Sequence, residues 1–504
     1  MNKKPLILVI IIILFFTVQT LAVSQNRQAF HPRLESDPKA AEYYRIGSRT
    51  SGFSWTEYAE ICLWASGDVN LTNMQKLTNA VNSLINANDL PRSGKDRAEY
   101  ILEFMHANIL KAYSLNQTRV DTIFTNGRFN CVSSAALYAI LCKAASVNTS
   151  GVVTRHHAFV IAHVDGQNID VETTNRFGFD PGNRKEFHDQ FGALTGFTYV
   201  PANNYRDRQT INQIELASLI FNNRIVEFEK ANRFADAVPL AIDRAVFLLG
   251  NSITRENASS GTIFENPRKE LIDRLLNYGA SLLRANREED ALVWAVSASA
   301  GYPDTARWQE FIMAAVNNRV ARFLRERKIQ NARNFLDANA SLLSQEDFTR
   351  LDSQIIDSDL LRRANGIRTA AEADEILNDI ETARNSGKLN QGRAREIIIF
   401  TTLKTAALLC APTAQGSAQN RNWRAAIAYL ENALSRFGAN RELEQNLKTY
   451  RDNLATDYHN RFAAEWNRKN YAEAERILSE GLAEFPDNRQ LLSNRETVNR
   501  QKTQ

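Results

Sequence analysis

Residues 128–142 read RFNCVSSAALYAILC, residues 156–160 read HHAFV, and residues 169–174 read IDVETT. The first stretch is an apolar run opened by a cysteine, and the turn residues of TNGRFN (125–130) precede it. That pattern predicts a helix with Cys131 in its first turn. The period then changes. GVVTRHHAFVIAHV (151–164) is β-branched and apolar, Asp165-Gly166 is a turn signal, and QNIDVETT (167–174) follows as a second strand. Helices followed by a strand pair predict an α+β domain. Cys131, His157 and Asp170 occur in that order, the second lying 26 positions after the first (157 − 131 = 26). A thiol nucleophile needs a base within hydrogen-bond reach and a third group to orient the base.

The start of a helix suits Cys131. Its partial positive charge favours a thiolate, and its free N–H groups can hold an oxyanion. On a regular strand Val153, Arg155, His157, Phe159 and Ile161 share one face, so only one of His156 and His157 can point at the thiol. The third group is harder to place. A two-residue turn at Asp165-Gly166 pairs 164 with 167 and 161 with 170, which leaves Asp170 roughly 13 Å along the strand from His157. Glu172 is then the diagonal neighbour of His157. A bulge or longer loop would bring Asp170 opposite His157 instead. The expectation is therefore an irregular turn between His163 and Gly166, with Glu172 as the reserve third member. Asn130, Gln117 and Tyr113 are unranked candidates for a side-chain oxyanion donor.

The G-x-x-N-C motif with its apolar helix, then H-A-F-V, then I-D-V-E-T-T, resembles the transglutaminase-like superfamily in its bacterial branch. The resemblance covers residues 52–205 and is strongest between 126 and 175. It implies a papain-like core with Cys131 as nucleophile, His157 as base and Asp170 as orienter. Members include amide-crosslinking enzymes, peptidases and proteins with no known activity. Three positions depart from the better-known pattern. Val132 follows the cysteine where Trp is common, and Phe159 replaces the Trp usual two residues after the histidine. Val171-Glu172-Thr173 stands where Pro-Thr often follows the aspartate.

The whole chain has 504 residues, too many for one core. Its net charge is +4, and Lys3 and Lys4 contribute two of those charges. The near-neutral remainder argues against a nucleic-acid binder driven by phosphate contacts. Residues 1–24 carry two lysines, an apolar run from Pro5 to Val18 and a small-residue site at Ala22-Val23-Ser24. They read as a signal peptide or an N-terminal membrane anchor, so the chain is expected to be exported, periplasmic or extracytoplasmic. Residues 25–51 read as a linker. Cys62, Cys142 and Cys410 read as core residues. No Cys/His ligand spacing implies a metal, and no cofactor is expected. Cys131 and Cys142 on one straight helix lie about 16 Å apart, too far to bridge.

Residues 206–504 read as an all-α solenoid of helix-turn-helix repeats. Asn223, Asn277, Asn318 and Asn460 are each followed fourteen residues later by an alanine, at 237, 291, 332 and 474 (237 − 223 = 14). The units resemble tetratricopeptide repeats, with spacing irregular and longer than the usual ~34 residues. Such arrays present a concave surface to a protein partner. The whole reading is an exported cysteine acyl-transfer enzyme acting on a peptide or protein substrate, by hydrolysis or crosslinking. Its alternative is an inactive transglutaminase-like scaffold that works through its helical repeats.

Overall fold

The Cys131 run forms a helix that is buried on every side: eleven of its fourteen residues, Val132 to Cys142, are enclosed. A helix that is apolar all round belongs in a core, and the rest of the first unit is built around it. The computed structural model describes residues 31–154, 157–182, 187, 191–193, 208–250, 252, 266–411 and 421–502. It divides into two compact units, Met1–Ala315 and Val316–Gln504.

The first unit begins with α1 (Pro38–Gly47), α2 (Trp55–Ser66), α3 (Leu71–Ile85) and α4 (Gly94–Asn108). Ser54 and Glu57 form a reciprocal capping box at the start of α2, and Gly67 ends it with φ 91°. A short parallel pair, β1 (Ala112–Tyr113) and β2 (Arg128–Phe129), brackets α5 (Val120–Asn126). The central helix α6 (Cys131–Ala144) follows directly. Next come β3 (Asn148–Val153), β4 (Ala158–Val164), β5 (Gln167–Val171) and β6 (Gln209–Ile211). They form one antiparallel sheet in the order β5-β4-β3-β6. Helix α6 packs on β3 and β4 and on α2 and α4.

Four helices follow: α7 (Gln213–Lys230), α8 (Phe234–Leu249), α9 (Pro267–Arg284) and α10 (Glu288–Gly301), and α11 (Thr305–Arg325) contains the boundary between the units. The sequence places the end of the first domain at residue 205, but the compact boundary falls at Ala315. The reason is packing: α7 lies against α2, α6 and β3, and α8 lies against α1. Trp64 joins these layers, with its ring 4.7 Å from Phe221, 5.2 Å from Tyr43 and 5.5 Å from Phe247.

The stretch 25–51 is not simply a linker. Residues 38–47 are α1, and the chain before it is tied to later helices. Arg33 pairs with Asp243 at 2.5 Å, the Asp37 amide donates to the same carboxylate at 2.7 Å, and the Tyr302 hydroxyl donates to the Leu34 carbonyl at 2.6 Å. Residues 1–24 lie outside the described residues. Among those that are described, no helix is long and apolar enough to cross a membrane.

The second unit continues with α12 (Ile329–Ala338), α13 (Gln345–Gly366), α14 (Ala370–Asn385), α15 (Gln391–Cys410), α16 (Trp423–Phe437), α17 (Arg441–Asn467), α18 (Tyr471–Glu484) and α19 (Arg489–Lys502). The alanines singled out by the repeat are buried: Ala237, Ala291, Ala332 and Ala474 are all 2% exposed or less. The same turn precedes each of them. Asn232, Asn286, Arg327 and Lys469, five residues before those alanines, all adopt positive φ, between 58° and 64°. The next amide reaches back five residues in every case, as in Arg233 to Phe228 and Lys328 to Phe323, each at 2.8 Å. Arginine and lysine are strained in that left-handed conformation. Lys469→Gly is therefore expected to stabilise the α17–α18 hairpin by about 1 kcal/mol. Denaturant unfolding checks this, with Lys469→Ala as the control that gains nothing.

Candidate active site

Three local devices set the site. The first is the start of α6. The Asn130 side chain accepts from the Val132 and Ser133 amides, both at 3.0 Å, and donates to the Leu115 carbonyl at 3.0 Å. The Ser133 hydroxyl donates to the Gln117 carbonyl at 2.7 Å. Residues 114–118 are thus wrapped around the helix end that carries Cys131. Asn130 spends its amide oxygen on capping and one amide hydrogen on the Leu115 carbonyl. The two amides that Asn130 caps are those that follow Cys131.

The second device is the β4–β5 hairpin. Asp165 and Gly166 have φ of 51° and 75°, the tight two-residue turn that suits strand twist. Val164 pairs with Gln167 and Ile161 with Asp170. The irregular turn expected from the sequence does not form, and Asp170 does not reach His157. Its carboxylate instead takes a two-pronged contact from the Arg208 guanidinium, at 2.5 and 2.7 Å. The placement of Asp170 as orienter is corrected by that register.

Glu172 takes the place beside the histidine. Its Oε2 lies 2.6 Å from His157 Nε2, with side-chain exposures of 2% and 9%. The Thr174 hydroxyl and amide both donate to its Oε1, at 2.7 and 3.2 Å. A buried carboxylate is tolerable when its oxygens are satisfied in this way. The Cys131 thiol acts on the same ring and helps to raise its pKa. Glu172 occupies Nε2, so Nδ1 is the nitrogen left for the thiol. Burial alone disfavours a charged His157. The Glu172 carboxylate, its hydrogen bond and the Cys131 thiol outweigh it and hold the imidazole pKa well above its ordinary value. The ring stacks on Phe159 at 6.3 Å and meets the edge of Phe191 at 5.6 Å.

The third device is the turn after β5. The Glu172 amide donates to the Gly178 carbonyl at 2.7 Å. A Cβ on Gly178 would stand 2.0 Å from the Glu172 carbonyl oxygen, so only glycine fits this approach. The Ser134 hydroxyl on α6 bonds the Thr173 hydroxyl at 2.8 Å, and His106 Nε2 on α4 lies 3.1 Å from the Thr173 carbonyl. Thr173 and Thr174 sit inside the IDVETT motif, but sequence reasoning assigned them nothing. His106 carries no sequence signal, because its contact is made 67 residues away.

Of the other two donor candidates, Gln117 has its Nε2 buried without a partner. Tyr113 keeps its phenol protonated: burial, then the charges at Cys131 and Glu172, push its pKa upward. All four cysteines are free thiols, and Cys131 is the one that is not buried. Burial pushes the Cys62 thiol up to about 12 and also raises those of Cys142 and Cys410. Among the described residues no group of His, Cys, Asp or Glu is placed to hold a metal ion. No family model matches the chain, and no curated protein matches it.

Removing the negative charge beside His157 should release its proton more easily. In Glu172→Gln the His157 titration, followed by NMR, is expected to fall by about one unit or more. Asp170→Asn should leave it in place. The reverse ranking would return Asp170 to the histidine.

Proposed function

We propose that the protein is a cysteine acyl-transfer enzyme of transglutaminase-like type, acting on peptide or amide carbonyls. The observation that carries this reading is one imidazole bonded to a buried carboxylate and electrostatically coupled to a helix-start thiol. That is the wiring a nucleophile, base and orienter require. A papain-like core is consistent with a cysteine-bearing helix packed on an antiparallel sheet.

In this mechanism the Cys131 sulfur attacks the carbonyl carbon as a thiolate paired with the His157 imidazolium. The carbonyl oxygen takes negative charge beside the α6 N-terminus, whose partial positive charge stabilises it. Collapse breaks the C–N bond, and the leaving amine takes the proton from His157. Water, deprotonated by His157, then attacks the thioester and releases the acid and the thiol. An amine in place of water gives crosslinking. Hydrolysis is the reading we adopt, with an exported site of action proposed from the leader-like N-terminus.

A second reading, an interaction module without turnover, draws on a groove in the second unit. Ile399, Phe400 and Leu403 of α15 line it, with Glu396, Lys404 and Glu442 at its margin.

Iodoacetamide at neutral pH is expected to label Cys131 while Cys62, Cys142 and Cys410 stay unlabelled in the folded protein. An activated ester such as p-nitrophenyl acetate should leave an acetyl group on Cys131 alone, read by peptide mass spectrometry. In His157→Ala both reactions should slow by roughly a hundredfold. Labelling of Cys131 that ignores the histidine would favour the interaction module.

A further inference from the structure

His106 lies outside the triad, yet it is largely buried against it. Its ring meets Phe129 edge-on at 5.9 Å, and its Nε2 stands 3.1 Å from the Thr173 carbonyl oxygen. A carbonyl only accepts, so the ring must donate, which fixes the tautomer with the proton on Nε2. Thr173 is therefore held at two points, at its carbonyl by His106 from α4 and at its hydroxyl by Ser134 from α6. It is the residue next to Glu172, and Thr174 on its other side supplies both donors to Glu172 Oε1. Shifting Thr173 shifts the carboxylate and its donors together.

We infer that His106 is a positioning residue: by donating to the Thr173 carbonyl it fixes Glu172 against His157, and so tunes the Cys131–His157 pair. The inference rests on the triad reading above. Its charge state suits the task. Burial, with Arg176 nearby, outweighs the Thr173 bond and the Glu172 charge and brings the His106 pKa down to about 4. The ring stays neutral at physiological pH and adds no charge to compete for Glu172. One imidazole is thus kept neutral as a brace while the other is kept basic for the chemistry, and a single backbone turn links them.

The full-length protein tests this with His106→Gln, which keeps an N–H donor, and His106→Met, which fills the space without one. The Met variant should lower the His157 titration and slow Cys131 alkylation roughly tenfold or more, with its pH profile displaced. The Gln variant should restore both to within about twofold of the parent, whereas a merely structural role would leave the His157 titration unmoved in both. The parent protein supplies a check that needs no variant. Its His106 ring should show the Nε2-protonated tautomer by nitrogen NMR, with no titration between pH 5 and 8. A proton on Nδ1, or a His157 titration indifferent to His106→Met, overturns the inference. Should Cys131 prove unreactive in the parent, the enzyme reading fails by itself. The His157 titration still decides the role of His106.

Discussion

The bond between His157 and Glu172 is the constraint on which the rest of the site depends. A carboxylate 2% exposed is costly to bury unless every lone pair is used. Here one oxygen faces the imidazole and the other takes two donors from Thr174. The imidazole, so held, has one nitrogen left, and the only place that nitrogen can be useful is the mouth of α6. The tight β4–β5 turn and the close approach of Gly178 to the Glu172 carbonyl both serve this single bond, and the capping by Asn130 sets the helix start that carries Cys131.

Much of this was legible in the chain. The Cys131 helix, the two strands and the Asp165-Gly166 turn follow from period and turn chemistry, and the registers of His157 and Glu172 follow from pairing arithmetic. Asp170 went wrong because the motif outweighed the arithmetic: a regular two-residue turn puts Glu172 at the histidine, and it does so here. Arg208, the true partner of Asp170, is 38 residues distant and could not be read from local pattern. His106 was hidden for the same reason. The helical half was legible in kind but not in extent. The fourteen-residue spacing found the hairpins, whereas the packing of α7 and α8 onto the first domain depends on surfaces that no repeat announces.

Two kinds of packing hold the helices together. In the first, aromatic rings around Trp64 gather four helices, and the buried α6 gathers the sheet. Four helical hairpins, two in each unit, rest instead on a small buried alanine, at 237, 291, 332 and 474, and on one left-handed turn residue. Two of the four such positions in the chain hold Arg327 and Lys469 rather than asparagine or glycine. The hairpins thus tolerate local strain because the helix contacts on either side determine the turn.

Asp170, displaced from the chemistry, has a role of its own. Its backbone carbonyl accepts from Asp180 at 2.9 Å and its carboxylate holds Arg208. The chain leaves one side of this residue and returns to the other, 28 residues later (208 − 180 = 28). Both ends of that stretch are bound to a single residue of β5. Phe191, whose ring meets His157 edge-on, and the buried Phe187 lie within that stretch, so the residue that lost its place beside the imidazole anchors the segment that walls it.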